Sequence, residues 1–406
     1  MAVASSKTSL LRAARPRCES LGGYRPRVTG VVVMRRLRRW GWALYVLVAG
    51  VAWGQASVPD EGLRIMANRS QGNCMACHEI PALREALSPA QRLTLQGTLG
   101  PSLQGVGARY NRQQLRQWLV DARVLRPDTM MPPYGTTQGL QRAARSQSLL
   151  SSEQIDAVVD TLMRFTQSSS LPAQSAAQPT GAVDSTVARV QAMDGMSPVD
   201  VWIDQGRVVW RRDCESCHQL SEVVKHVARF PRGHAQRQLI NLEDQILLCR
   251  QRTVQRSETP VKASIEDAVT LGLSAFLHHQ ARQQTLELEP PASAVEAAQW
   301  RQHLAQGEAL YNTRIGNLNL SCRQCHDDHV GVTLRSFRVT PAYPVGFPVY
   351  RLSWQGMGSM DRRLRACFSG VQAEMPPAQD LQLRQIELYL KHRARGQALE
   401  GPSVKP

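Results

Sequence analysis

Three pentapeptides of one form, CMACH (74–78), CESCH (214–218) and CRQCH (322–326), limit what this chain of 406 residues can fold around. C-x-x-C-H is an attachment signature for haem c, in which two thiols bond the porphyrin vinyl groups and the adjacent histidine reaches the iron. One helical turn presents both sulfurs to one porphyrin edge and turns the imidazole under the metal. A single match would fit a zinc half-site or a redox CxxC equally well. Three matches, each with histidine in the fifth position, point to three covalently bound haem c groups. Their holders are Cys74, Cys77 and His78; Cys214, Cys217 and His218; and Cys322, Cys325 and His326. Aromatic residues make up only 5% of the chain, and a bound porphyrin supplies apolar bulk that such a core lacks.

The motifs recur 140 and then 108 residues apart, and each opens a block of similar design. Gly62, Gly206 and Gly307 stand in short helical patterns ahead of them, and each block closes on an amphipathic helix. In SSEQIDAVVDTLMRFT (151–166), Ser151 and Gln154 form a capping box, and Ile155, Val158, Val159, Leu162 and Met163 share one face. SIEDAVTLGLSAFLHHQ (264–280) and LQLRQIELYLKHR (381–393) repeat the theme. Gly/Pro-rich stretches such as 99–107 and 340–348 read as loops over a cofactor, so the expected class is all-α with little or no β-sheet. The expected blocks are 57–167, 197–294 and 295–396, with 397–406 as a tail. The small, polar, Pro-containing segment 168–196 between the first two reads as a flexible linker.

The formal charge of +16 suggests nucleic acid until its distribution is read. Residues 1–40 hold a net +9 of it and 41–56 hold none, which leaves +7 for the rest, with no nucleic-acid module to go with it. MRRLRRW (34–40), the apolar GWALYVLVAGVAW (41–53) and small residues at 54–56 have the layout of a secretory signal peptide. Residues 1–56 are then an N-terminal extension and export signal, with Met34 as a candidate start and Cys18 irrelevant to the mature protein. The expected location is the periplasm, with membrane association only if the segment stays uncleaved.

The remaining question at each site is the far face of the iron. In RPDTMMPPYG (126–135) a methionine follows His78 by 53 residues at Met131, beside Met130. Met131 is preferred because Pro132 fixes its backbone, and a thioether raises a haem potential. Cys249 follows His218 by 31 residues and Cys367 follows His326 by 41. Thiolates lower the potential and suit chemistry more than relay. A Cys249–Cys367 disulfide, His226 or His234 at the second iron, and Met375 at the third are the open alternatives.

CMACH, GTLGPSLQGVGARY (97–110) and LRPDTMMPP (125–133) resemble SoxX, the monohaem cytochrome of bacterial thiosulfate oxidation. LEDQILLCR (242–250), CRQCHDDHVGVTLR (322–335) and FPVYRLSWQGMGSMDRRLRACFSGVQAE (347–374) resemble its dihaem partner SoxA. The chain looks like the two fused, X first, as three cytochrome c-like domains, one SoxX-like and two SoxA-like. The resemblance implies His78/Met131, His218/Cys249 and His326/Cys367 ligation. It implies that Cys367, found in the family as a persulfide, is the active site with Arg363 beside it. The implied activity is L-cysteine S-thiosulfotransferase (EC 2.8.5.2), coupling thiosulfate to a cysteine of the carrier SoxYZ and passing electrons to an external c-type cytochrome. Gln372 stands where family members usually carry arginine.

Residue chemistry leads the same way. On a helix over 360–368, Arg363 is one turn before Cys367 and shares its face. Guanidinium binds oxyanions bidentately and favours a neighbouring thiolate. Arg362 and Arg365 read as solvated or propionate-binding. The rival functions are a non-catalytic multihaem electron-transfer cytochrome and a carrier-independent thiosulfate dehydrogenase forming tetrathionate.

Overall fold

Each of the three glycines ahead of a CxxCH motif lies where two helices cross too closely for a side chain. In the computed structural model, residues 60–80, 82–83, 97–167, 197–254, 263–334 and 337–405 are described. The expected export signal and the linker lie outside the described residues. Ser57–Pro406 forms one compact unit.

The first block holds α1 (Glu61–Ala67), α2 (Val106–Arg109), α3 (Arg112–Asp121) and α4 (Ser152–Met163). At the start of α4 the Ser151 hydroxyl accepts from the Gln154 N–H, and the Gln154 carboxamide oxygen accepts from the Ser151 N–H. Ile155, Val158, Val159 and Leu162 are buried and Met163 is half-buried, as the periodicity requires. The second block holds α5 (Asp200–Asp213), α6 (Leu220–Val224), β1 (Arg232–His234), β2 (Gln238–Ile240), α7 (Leu242–Val254) and α8 (Ala268–Gln280). The third begins with α9 (Ala294–Asn312), α10 (Cys322–His326), β3 (Thr333–Leu334) and β4 (Phe337–Arg338). It continues through β5 (Val349–Arg351), β6 (Gly356–Gly358), α11 (Met360–Gly370), α12 (Leu381–Arg393) and β7 (Ser403–Lys405).

In every block the first helix packs on the last: α1 on α4, α5 on α8, α9 on α12. A Cβ at Gly62 would meet Ala157 O at 2.4 Å, at Gly206 it would meet Gly272 O at 1.9 Å, and at Gly307 Gln385 O at 2.1 Å. Glycine lets these backbones touch, and the touch sets the crossing that frames each motif.

The expectation of little or no β-sheet needs correction, because the fold is helix-rich with three small sheets among the described residues. β1–β2 and β3–β4 are antiparallel ribbons, and β5 pairs antiparallel with β6 and parallel with β7. The strands are two or three residues long, too short to show alternation in sequence. β7 also corrects the reading of 397–406 as a tail, since Val404 is buried and Tyr350 ↔ Val404 is in register.

The second and third blocks are riveted by buried charge. Arg384 of α12 reaches Asp244 of α7 and, at 3.0 Å, Asp361 of α11. The Gln379 carboxamide donates to Asp244 at 2.7 Å, and the Asn241 carboxamide donates to Glu387 at 3.0 Å. The first block docks on the third. Arg142 stacks over the Phe368 ring at 5.1 Å and donates to Gln382 at 2.7 Å. The Ala144 N–H donates to Gln372 O, the Glu374 N–H to Arg142 O, and Arg314 donates to the carbonyls of Pro127 and Asp128.

Candidate haem and anion site

That docking closes a cavity of about 2170 Å³, and its walls carry both the first and the third CxxCH. Pockets for one small ligand run to about 300–1,000 Å³, so this space suits two large cofactors. Cys74, Cys77, His78, Met130 and Met131 line it from the first block, and Cys322, Cys325, His326, Arg363 and Cys367 from the third.

The two histidines are held alike. His78 Nδ1 lies 2.7 Å from Pro101 O, and His326 Nδ1 lies 2.6 Å from Thr340 O. A backbone carbonyl on Nδ1 fixes the ring and turns Nε2 outward, the arrangement of an iron-ligating imidazole. A Cβ at Gly100 would come 2.4 Å from the His78 ring, so the 99–103 loop lies flat against it. Burial pushes the thiols of Cys74 and Cys322 up to about 12 and that of Cys325 to about 11. Burial also lowers both histidines, against the pull of the carbonyl bonds, so the imidazoles are neutral. Neutral thiols and imidazoles on an apolar wall fit covalently attached haem.

Met131 packs against the first block's core, and its N–H donates to the Thr129 hydroxyl at 3.1 Å. Met130 shares the wall, so both methionines face the cofactor space. In the third block Ser359 caps α11, which spans the expected helix over 360–368 and sets Arg363 and Cys367 one turn apart on the wall. Cys367 interacts electrostatically with both Cys322 and Cys325 and lines the same cavity wall. Met375, the rival ligand, is 44% exposed and is not part of the cavity wall. Arg362 and Arg365 are not a solvated edge. Arg362 stacks on Trp354 at 4.4 Å and donates to Met357 O, while Arg365 donates to Pro376 O.

The second site is built differently. Cys217, His218 and Cys249 are exposed, and Cys249 interacts with Cys214 across the site while the Gln245 carboxamide donates to its sulfur at 3.3 Å. Burial raises Cys214 to about 11. His234 is engaged in its own hairpin, accepting from the N–H groups of Gln236 and Arg237. Cys249 and Cys367 face different motifs and are both free thiols, so the disulfide alternative is not formed.

Three wall residues, His329, Arg351 and Lys405, escaped the sequence reading, and a fourth, Gln372, was read only as a departure from the family. His329 lines the cavity, with Nδ1 2.6 Å from Gln324 O. Gln372 lines it at φ 55°, with a buried Oε1 that has no hydrogen-bond partner. Arg351 and Lys405 line it from β5 and β7. Only the YR..W run around Arg351 carried any sequence signal, and its meaning depends on the hairpin.

No family model matches the chain. It is 31% identical over 213 residues to the L-cysteine S-thiosulfotransferase subunit SoxA of Pseudaminobacter salicylatoxidans, covering 50% of this chain and 71% of that one. It is 28% identical to the SoxA of Paracoccus pantotrophus (55% and 76% covered) and 27% identical to that of Allochromatium vinosum (53% and 76%). Among solved structures it resembles the crystal structure of SoxXA from P. pantotrophus, at 25% identity and a TM-score of 0.49, covering 55% of this chain and 84% of that one. The SoxA relatives define a thiosulfotransferase enzyme of the c-type cytochrome class, acting in thiosulfate oxidation. The chain belongs to the SoxA family of L-cysteine S-thiosulfotransferase subunits.

Proposed function

We propose that this chain is a SoxX–SoxA fusion that carries three haems c and couples thiosulfate oxidatively to a cysteine of the SoxYZ carrier in the periplasm. Residues 57–167 are the SoxX-like domain, 168–196 the linker, and 197–294 and 295–396 the two SoxA-like domains. His78 with Met131, His218 with Cys249, and His326 with Cys367 would hold the irons. When bound, haem supplies the one-electron acceptors for the two electrons that the coupling releases and relays them to an external c-type cytochrome.

The observation that carries the reading is the placement of Cys367 and Arg363 one helical turn apart on the wall that both blocks share. Arg363 holds the sulfonate oxygens while the outer sulfur of thiosulfate faces Cys367. A sulfur–sulfur bond forms between the Cys367 thiolate and that outer sulfur, and two electrons leave. The carrier thiolate then attacks the same outer sulfur, the bond to Cys367 breaks, and the Cys367 thiolate is regenerated. The net change is one carrier thiol and one thiosulfate becoming a carrier S-thiosulfonate, one proton and two electrons.

Incubation of the holoprotein and the Cys367→Ala variant with SoxYZ and thiosulfate, followed by intact mass of the carrier, tests this. The thiosulfonate adduct should form with the parent protein and fall by orders of magnitude with the variant. Adduct formation at the parent rate would remove Cys367 from the reaction. The intact mass of the purified protein should show three haems.

A further inference from the structure

Two arginines from different elements reach the cavity wall at Cys367. Arg363 comes from α11, and Arg351 from β5, whose hairpin partner β6 ends directly before Ser359, the cap of α11. Hairpin and helix are therefore continuous, and the register Arg351 ↔ Gly356 fixes where Arg351 points relative to that helix. Arg351 is half-buried, with its guanidinium 5.3 Å from the centroid of the Trp354 ring, which also carries Arg362 at 4.4 Å. Stacking engages the face of a guanidinium, and its planar edge has the geometry that oxyanions match. Arg351 interacts electrostatically with both Arg363 and Cys367, and all three line the same cavity wall. Holding two like charges together on a partly dry wall is costly, and a bound dianion removes that cost.

The substrate chemistry asks for such a pair. Thiosulfate carries two negative charges and approaches a thiolate, so one arginine leaves the encounter repulsive. The parallel pairing of β5 with β7 also sets Lys405 beside Arg351 on the same face, and Lys405 lines the cavity too. Among the described residues, Glu400 is the one carboxylate that the third block contributes to this wall.

We propose that Arg351 is a second oxyanion-binding residue of the thiosulfate site, gripping the sulfonate together with Arg363 while the outer sulfur faces Cys367. The inference rests on the reading of Cys367 as the sulfur acceptor. It makes the site selective for dianions, because Arg351 supplies the charge that a monoanionic analogue does not need.

The test compares steady-state kinetics of the holoprotein, Arg351→Met, Arg351→Lys, Arg363→Met and Cys367→Ala with SoxYZ. The two substrates are thiosulfate and methanethiosulfonate, a monoanion with the same reactive sulfur. Methionine keeps an apolar stem against Trp354 and removes the charge. Loss of a charged hydrogen bond predicts a rise in KM for thiosulfate of about 10- to 100-fold in Arg351→Met. The KM for methanethiosulfonate should move by less than about 3-fold, and Arg351→Lys should recover part of the thiosulfate loss. Haem content and absorption spectrum should match the parent protein. An unchanged thiosulfate KM in Arg351→Met, with Cys367→Ala inactive, overturns the role of Arg351 and leaves the proposed function standing. A changed haem reduction potential with unchanged KM overturns it too, and assigns Arg351 to a haem propionate. Normal turnover by Cys367→Ala overturns the underlying reading as well.

Discussion

Arg384 donates to Asp361 at 3.0 Å where neither side chain is more than 1% exposed. The same guanidinium reaches Asp244, and Asp244 and Asp361 stand on the helices that carry Cys249 and Cys367. One arginine thus holds in register the two helices that carry Cys249 and Cys367. Burial would raise Asp244, but Arg384, Gln379 and Asn241 together hold it below the ordinary carboxylate range.

Replacing Arg384 with methionine should therefore be severe. It strands Asp244 and Asp361 in the interior, and removing one partner of a buried ion pair costs about 3–5 kcal/mol. Chemical denaturation should show this as a lower midpoint. Asp361→Asn should cost less, because Arg384 keeps its bonds to Asp244.

His278 gives a pH dependence of definite sign. It is buried on α8 with Nδ1 2.9 Å from Ser274 O, and burial followed by the charge of Lys391 lowers it to about 4. Its folded value lies below its unfolded one, near 6.5, so the unfolded chain takes up the proton first. Stability should fall as pH drops from about 6.5 towards 4, by on the order of 3 kcal/mol from this group. Thermal unfolding across that range should flatten in His278→Gln.

The helix crossings make a sharp contrast between glycines. Gly307→Ala places a methyl 2.1 Å from Gln385 O, and overpacking of this kind costs about 1–3 kcal/mol. Gly233→Ala, where a Cβ meets nothing within 4 Å, should be neutral. Melting temperatures of the two variants check this directly.

At the junction of the first and third blocks, Arg142→Ala removes the stack on Phe368 and the bond to Gln382. These together contribute about 1–2 kcal/mol. Hydrogen exchange at the amides of Ala144 and Glu374, which bond across the junction, should quicken by about 5- to 30-fold. Exchange in α8 should not change.

The contrast between what the chain disclosed and what it hid has a physical cause. The three CxxCH motifs were legible because five consecutive residues carry the whole signature, and the structure sets the first and third on one cavity wall. The closing helix α4 was legible because Ser151 and Gln154 cap it and its apolar face repeats at helical spacing, whereas α8, expected to be amphipathic, is buried on every side from Thr270 to His278. Arg363 was legible through its offset from Cys367. Arg351 was not, because it joins the same wall only after β5 pairs with β6. Arg362 looked like surface charge because nothing local says that Trp354 will fold onto it. Lys405 looked like tail because a parallel strand needs a partner 54 residues earlier, Arg351. The buried bonds of Arg384 join residues 140 apart in sequence, and no local pattern encodes that.

The parallel pairing of β5 with β7 sets an order of events. A chain that emerges from its N-terminal side makes Cys367 and Arg351 well before Ser403–Lys405, yet β5 gains its second neighbour only from those late residues. Until they arrive, the strand bearing Arg351 has one partner and an open edge. The site is therefore finished from its C-terminal side, and a chain cut short after α12 would carry every motif cysteine while leaving the Arg351 strand without its second neighbour.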